Sequence, residues 1–354
     1  MKKTFSLFIS LSFALLSIAQ APSNYYNSAN GLTGNQLKSA LHNIIKGHTS
    51  ISYAQLWNAF WSTDNKGNGI VWDMYSDKPN GTPPYVYYLG TDQCGSYSNE
   101  GDCYNREHSW PSSWFNDQNT PRTDLHHIFP TDGYVNNRRG NYAFGEVRSA
   151  SWTSRNGSKL GNCKTSGFTG TVFEPIDEYK GDFARAIMYM SVRYYSEDSG
   201  WGTSDMTTKS EIKPWAINML LRWNEQDPVS QKEIDRNNAI YRDYQHNRNP
   251  FVDHPEYARM IWDPTWNTIE ENGTQVFLFP NPVEQGQTLH VSGNSHHFDA
   301  IALCDLSGRT LMKATGNAVG DFAFSLPTDI AKGCYIVKLM RNGSVVKYEK
   351  LMVK

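Results

Sequence analysis

Long apolar runs, excess charge of one sign, and paired cysteines are all scarce in this chain, and each scarcity closes off a class of function. After residue 19 no segment approaches the ~18 consecutive apolar residues of a membrane span, so none is expected in the mature protein. The formal net charge is −2 and the isoelectric point about 6.6, which argues against a polycation that coats nucleic acid over long stretches. Five cysteines occur, never as CxxC, and there is no HExxH, so no zinc-site spacing is present. A GxSxG elbow is missing as well, which removes the main sequence signal for a Ser-His-Asp hydrolase. With neither a basic-faced recognition helix nor a zinc finger, no base-reading module is expected.

What is present begins with MKKTFSLFISLSFALLSIA, two lysines followed by an apolar run that ends in small residues. It reads as a signal peptide over residues 1–19, cleaved after Ala19, and the run is too short and serine-rich to span a bilayer stably. Export changes the reading of the cysteines. In an oxidising compartment Cys94 and Cys103, in CGSYSNEGDC, are placed to close a small loop as a disulfide just before Glu107-His108. The pairing of Cys163, Cys304 and Cys334 does not follow from their positions.

The 354 residues suggest about two domains. Residues 20–263 are rich in aromatics and irregular loops, with apolar stripes at helical spacing. Leu56, Ala59 and Phe60 share one face of SYAQLWNAFWST, and Phe183, Ile187, Met190 and Tyr194 share one face of KGDFARAIMYMSVRYYSE. KPWAINMLLRWNEQDP reads as a further helix, and Ser230 with Glu233 as the capping box of another. These stripes are assigned to the core. Residues 264–275 read as a polar linker. From 276 to 354 the pattern becomes short period-two strands broken by Gly, Asn and Pro, as in a small antiparallel sandwich. His296-His297 is placed in a loop there, with no ligand role. The expected fold class is α+β: a mixed, largely helical domain followed by a small all-β domain.

The chemistry concentrates in two stretches, YNREHSWPSSWF at 104–115 and DLHHIFPTDGYVNNRRGNYAFGEV at 124–147. Residues 103–170 hold eight Arg or Lys against five Asp or Glu, a small local excess around these motifs. Glu107 offers a hard oxygen ligand, and Asn136 and Asn141 offer amide oxygens. One carboxylate and one amide oxygen are a typical protein share of a magnesium site, which keeps waters and takes further ligands from phosphate. His108, His126 and His127 offer bases that are half neutral near pH 6.5, and Arg138 and Arg139 offer forks for phosphate charge. His126 and His127 are adjacent, so on a strand they would face opposite ways and not share one metal. The set fits hydrolysis of a phosphodiester better than any other reaction.

These residues also carry a resemblance. NREHSWP followed by DLHHIFPTDGYVNNRRGNYAFGEV closely resembles the bacterial endonuclease I family of secreted or periplasmic non-specific nucleases. VWDMYSD, FEPIDEYKGDFARAIMYM and QHNRNPFVDHPEYA are similar to that family's recurrent blocks, in order, over roughly residues 40–263. The resemblance implies a ββα-metal (His-Me finger) core, two antiparallel strands and a helix gripping one divalent ion. It implies His108 on the first strand as general base, DLHHIFP as the second strand, and Glu107 and Asn136 as ligands of one Mg2+, with Mn2+ or Ca2+ as substitutes. Arg139 is then expected to grip phosphate, as a catalytic residue. Arg138 is a candidate substrate contact, Asn141 grips phosphate or fixes the loop, and His127 orients the site or packs. Products would carry 5′-phosphates. In NRNPFVDHPEYA, Asp253 and His254 are read as parts of a structural turn set by Pro250 and Pro255.

The C-terminal stretch FPNPVEQGQTLHV, IALCDLSGRTLMK and KGCYIVKLMRNGSVVKYEKLMVK resembles the sorting domain of the type IX secretion system. That implies the secretion machinery as a partner and a secreted or surface-held protein. Together the readings predict a secreted, magnesium-dependent endonuclease acting on DNA, with RNA open. A metal-dependent phosphodiesterase of smaller substrates and a non-catalytic surface adhesin are the alternatives.

Overall fold

The computed structural model describes residues 21–263, 276–293, 300–305, 308–315, 322–341 and 344–354. The expected signal peptide, the linker at 264–275 and the His296-His297 loop lie outside the described residues. The chain divides into two compact units, Met1–Trp262 and Asp263–Lys354. Helices and several small sheets make it α+β, as expected.

The first unit opens with α1 (Gly34–Ile45) and α2 (Gln55–Thr63). α1 was not anticipated, although Leu37, Leu41 and Ile45 recur every four residues and are all buried on one face. α2 buries Leu56, Ala59 and Phe60. A long irregular segment then leads to β1 (Tyr104–His108), the short α3 (Asn119–Arg122), β2 (Ile128–Asp132) and α4 (Gly133–Arg139). Next come β3 (Ala143–Phe144), β4 (Val147–Thr153), β5 (Lys159–Cys163) and β6 (Thr171–Glu174), a sheet in the order β3-β6-β5-β4.

α5 (Lys180–Arg193) is the central helix, buried along its whole length. It packs against α1, against α6 (Pro214–Gln226), which follows the small hairpin of β7 (Thr207–Thr208) and β8 (Glu211–Ile212), and against α8 (Pro250–Asp253). Phe183, Ile187 and Met190 are fully buried, each side chain contributing about 1.5–3 kcal/mol by leaving water. Between α6 and α8 runs α7 (Gln231–Ala239), and α9 (Tyr257–Trp262) closes the unit. α7 starts with the expected capping box, the Ser230 side chain accepting from Glu233 N and the Glu233 carboxylate accepting from Ser230 N at 2.9 Å. The same carboxylate takes the Arg185 fork from α5, so one buried ion pair joins the two helices.

The second unit is made of β9 (Val276–Phe279), β10 (Thr288–Gly293), β11 (Ala300–Cys304), β12 (Thr310–Thr315), β13 (Phe322–Ser325), β14 (Gly333–Arg341) and β15 (Ser344–Val353). They form two antiparallel sheets, β13-β10-β9 and β12-β11-β14-β15. Leu289, Val291, Ile301, Leu303, Val337, Leu339 and Leu351 share one core. Alternate residues of β14, such as Val337 and Leu339, supply it, as the period-two pattern predicts. Cys163, Cys304 and Cys334 are free.

Candidate active site

β1 and β2 pair antiparallel, with Glu107 opposite Phe129 and His108 opposite Ile128, and α4 begins at the next residue. The junction is held by Asp132. Its Oδ1 accepts from Val135 N at 2.7 Å as an N-cap, and its Oδ2 accepts from Tyr87 OH at 2.6 Å and Gly101 N at 2.9 Å. Cys94 and Cys103 form the expected disulfide directly before β1, and the Cys103 carbonyl accepts from Gly133 N at 2.9 Å. Gly133 has no room for a side chain, because an added Cβ would lie 2.6 Å from the Tyr97 ring. The bridge therefore clamps the residue that leads into β1, and the hydrogen bond joins that residue to the start of α4. Replacing both cysteines with serine is expected to destabilise the first unit by about 2–3 kcal/mol, from the chain entropy of so short a loop. Urea unfolding of the double variant checks this, and an unchanged midpoint would contradict it.

Along β1 side chains alternate, so Glu107 points to one face and Arg106 and His108 to the other. Glu107 is buried, and its Oε1 accepts from Tyr75 OH at 2.9 Å and from Arg139 Nη1 at 3.0 Å. Its Oε2 has no hydrogen-bond partner among the described residues. Burial pushes the carboxyl up to about 7, against the pull of Arg139 and of the Tyr75 hydroxyl. Oε2 is the oxygen left for a cation, which would favour the ionised carboxylate against the push of burial.

His108 Nε2 lies 3.0 Å from the Arg122 carbonyl, an acceptor, so this nitrogen carries the proton and Nδ1 keeps its lone pair. Burial, with His127 next and the cationic Arg122 and Arg106 nearby, lowers its pKa to about 3, so the ring is neutral at physiological pH. Tyr53 lies nearly parallel to it, 6.2 Å between centroids, and His127 is 5.5 Å away.

Asn136, half-buried on α4, donates from Nδ2 to the Arg106 carbonyl at 3.2 Å. Its Oδ1 is thereby oriented and has no partner among the described residues. Each candidate ligand oxygen is thus oriented by the other half of its own group, Glu107 through Tyr75 and Arg139 and Asn136 through the Arg106 carbonyl of β1. Among the described residues no cluster of three His, Cys, Asp or Glu could hold a metal, so the site lacks a zinc-type donor set.

Three expected roles do not fit their surroundings. Arg139 does not face a substrate. It is 1% exposed, its fork donates to Glu107 Oε1 and to the carbonyls of His108 at 2.9 Å and Ser109 at 2.7 Å, and Phe144 covers it. It holds the strand and the carboxylate, because a fork with five donors is the natural filler where carbonyls and a carboxylate converge. Asn141 is exposed and makes no side-chain hydrogen bond among the described residues, so it does not fix the loop. His126 and His127 are not on the strand but in a 3-10 turn, Leu125–His127, capped by the Asp124 side chain. His126 Nε2 is bonded to the Asn247 carbonyl at 3.2 Å and His127 Nε2 to the Pro121 carbonyl at 2.7 Å. Burial lowers both to about 4. His127 packs against His108 and Phe115, with its Nδ1 buried and unpartnered. Arg138 is exposed and lies over Trp152 at 5.2 Å, open to a ligand. Asp253 and His254 are structural, as expected: Asp253 accepts from Arg248, Tyr26 and Asn237, and His254 contacts Glu256.

Sequence reasoning missed the supports. Tyr75 and Tyr53 lie far from β1 in sequence, and Arg122 was counted only as one charge of a mildly cationic stretch. Asp124 was missed as a hub, fully buried and accepting from Tyr189, Tyr194, Gln245 and His126 N. Its carboxyl is held well below the usual range by His48, His126 and His127 against the upward push of burial.

The family described as Endonuclease I matches residues 33–256, and that described as Secretion system C-terminal sorting domain matches 277–354. The chain is 40% identical over 266 residues to an extracellular ribonuclease of Bacillus amyloliquefaciens, covering 73% of this chain and 84% of that protein. It is 40% identical over 248 residues to an extracellular ribonuclease of Bacillus subtilis (strain 168), covering 67% and 78%. An Endonuclease-1 of Buchnera aphidicola subsp. Baizongia pistaciae (strain Bp) is 30% identical over 131 residues, covering 37% and 46%.

Proposed function

This chain belongs to the endonuclease I family and is a secreted or cell-surface nuclease; from that premise we propose that it hydrolyses RNA and DNA with little sequence preference, using one divalent ion and His108 as general base. The observation that carries this is the pair of oriented, unpartnered oxygens, Glu107 Oε2 and Asn136 Oδ1, anchored on the strand that bears His108.

The donor set fits magnesium, since both atoms are hard oxygens and that ion would take its remaining ligands from water and phosphate. When bound, the ion supplies positive charge beside the attacked phosphate and the leaving 3′-oxygen. Glu107 and Asn136 would hold it, with Tyr75 and Arg139 fixing the carboxylate from behind. His108 Nδ1 takes a proton from the attacking water, while the Arg122 carbonyl keeps the ring's orientation and tautomer. Attack by water breaks the P–O3′ bond and leaves a 5′-phosphate, and the 3′-oxygen departs as a hydroxyl by taking a proton from solvent. A base that acts on water needs no 2′-hydroxyl, so RNA and DNA both qualify, in keeping with the names of the relatives. The sorting domain is the partner surface for the secretion machinery. No helix among the described residues is long and apolar enough to cross a membrane.

The test is digestion of RNA, single-stranded DNA and supercoiled plasmid by the mature protein, with Mg2+ and with excess EDTA, followed by end analysis. All three should be cut only with the metal, leaving 5′-phosphates. Cyclic 2′,3′-phosphate ends on RNA would remove water as the nucleophile, and digestion in EDTA would remove the metal. Hydrolysis of a small phosphodiester without cleavage of polymer would favour the phosphodiesterase alternative.

A further inference from the structure

The arginines of the first unit fall into two groups. Eight have a carboxylate oxygen within 4 Å: Arg139 and every arginine from residue 185 onward. The remaining five, Arg106, Arg122, Arg138, Arg148 and Arg155, have none among the described residues, and all lie within residues 106–155 around the ββα unit. Two of them, Arg106 and Arg122, lie against Tyr53, whose ring faces His108, and Arg139, the expected phosphate grip, is not among the five.

Arg106 is the most constrained of the five. Its guanidinium lies 3.7 Å from the centre of the Tyr53 ring and 4.2 Å from that of Trp57, two rings brought there by the start of α2. It makes one side-chain hydrogen bond, from Nη1 to the Tyr53 carbonyl at 3.0 Å, and its Nε is buried without a partner. Arg122 lies over the same Tyr53 ring at 4.5 Å. The Tyr53 ring in turn is nearly parallel to that of His108, at 19°. Because Arg106 and His108 are two apart on β1, they emerge on the same face roughly 7 Å apart.

We propose that Arg106, held between Tyr53 and Trp57 with Arg122 beside it, grips a substrate phosphate next to the one cleaved at His108; this rests on the nuclease reading above. A half-buried cation without a counter-ion is unfavourable in the free protein and favourable once an anion arrives. The two rings fix the fork before binding, so little side-chain freedom is lost when phosphate is taken. A guanidinium fork recognises phosphate and not base edges from this position, which suits a nuclease with little sequence preference.

The experiment measures binding of a fluorescein-labelled single-stranded DNA 12-mer to the full mature chain in EDTA, by anisotropy across a salt series, and cleavage of the same oligonucleotide with Mg2+. Arg106→Gln should weaken binding about tenfold and lower the slope of log affinity against log salt by about 0.7, the value of one lost phosphate contact on a single strand. KM should rise while kcat stays within about threefold. Arg106→Lys should keep the slope and recover part of the affinity, and Arg242→Gln, which removes an exposed arginine paired with Asp243, should match wild type throughout. A wild-type slope for Arg106→Gln, or a loss confined to kcat, overturns the proposal, as does an Arg106→Lys variant no better than the glutamine. If wild type binds with the expected slopes but cuts nothing, the nuclease reading fails and the phosphate grip stands. If it cuts and the slope ignores Arg106, the grip fails alone.

Discussion

Replacing His108 with alanine is expected to lower kcat by roughly 10²- to 10⁴-fold, the range for losing a general base, with oligonucleotide affinity nearly unchanged. The split follows from the geometry. His108 spends its Nε2 proton on the Arg122 carbonyl and shares no hydrogen bond with Glu107 or Asn136, so its removal leaves both candidate ligand oxygens as they are. Burial and the neighbouring cations keep the ring neutral, so the wild-type ring is always in the accepting form near neutral pH. His127→Ala is the informative partner variant. Its Nε2 is bound to the Pro121 carbonyl and its ring is fully buried behind His108. It should act through packing, with a smaller loss of rate and a lower melting temperature. Steady-state kinetics on labelled DNA, with melting temperatures of both variants, separate the two. If His108→Ala kept a tenth or more of wild-type kcat, the imidazole would not be the base, and His127 would become the next candidate.

How much of this was legible beforehand depends on the range of the interaction. Glu107, His108 and Asn136 could be singled out because their chemistry is unusual for their spacing, and the ββα topology followed from the resemblance. Helices α2, α5 and α6 could be read from apolar periodicity and chain-breaking residues, and α7 from the four-residue capping box at Ser230. What failed was direction. Nothing local says that Arg139 turns inward while Arg138, one residue earlier, turns out. That is decided by where α4 lies against β1, whose carbonyls at His108 and Ser109 need donors. Likewise, the histidines at 126 and 127 have a sequence compatible with a strand. The Asp124 side chain pulls them into a 3-10 turn, and its own position depends on Tyr189, Tyr194 and Gln245, more than sixty residues away. Arg106 and Arg122 read as two charges in a mildly cationic stretch. Their distinction, two guanidinium groups on one Tyr53 ring with no carboxylate beside them, is visible only once the chain has folded.

The buried pair beneath the site gives the second large effect. Arg139→Met is expected to cost about 3–5 kcal/mol of stability, because removing one member of a buried ion pair strands the other. Glu107 would keep only Tyr75 OH on its Oε1, and the carbonyls of His108 and Ser109 would lose the donors that fix the end of β1. Ten of the eleven tryptophans lie at or before Trp262, so their fluorescence in urea chiefly follows the first unit. The double variant Glu107→Gln/Arg139→Met should recover much of the lost stability, since no uncompensated charge remains in the interior. It should nevertheless stay inactive, because a neutral amide is a poor substitute for a carboxylate as a magnesium ligand. That combination, stability regained without activity, distinguishes a supporting arginine from one that touches substrate. An arginine gripping phosphate would instead leave the unfolding midpoint of Arg139→Met at the wild-type value and raise KM alone, an outcome that would return Arg139 to the substrate face.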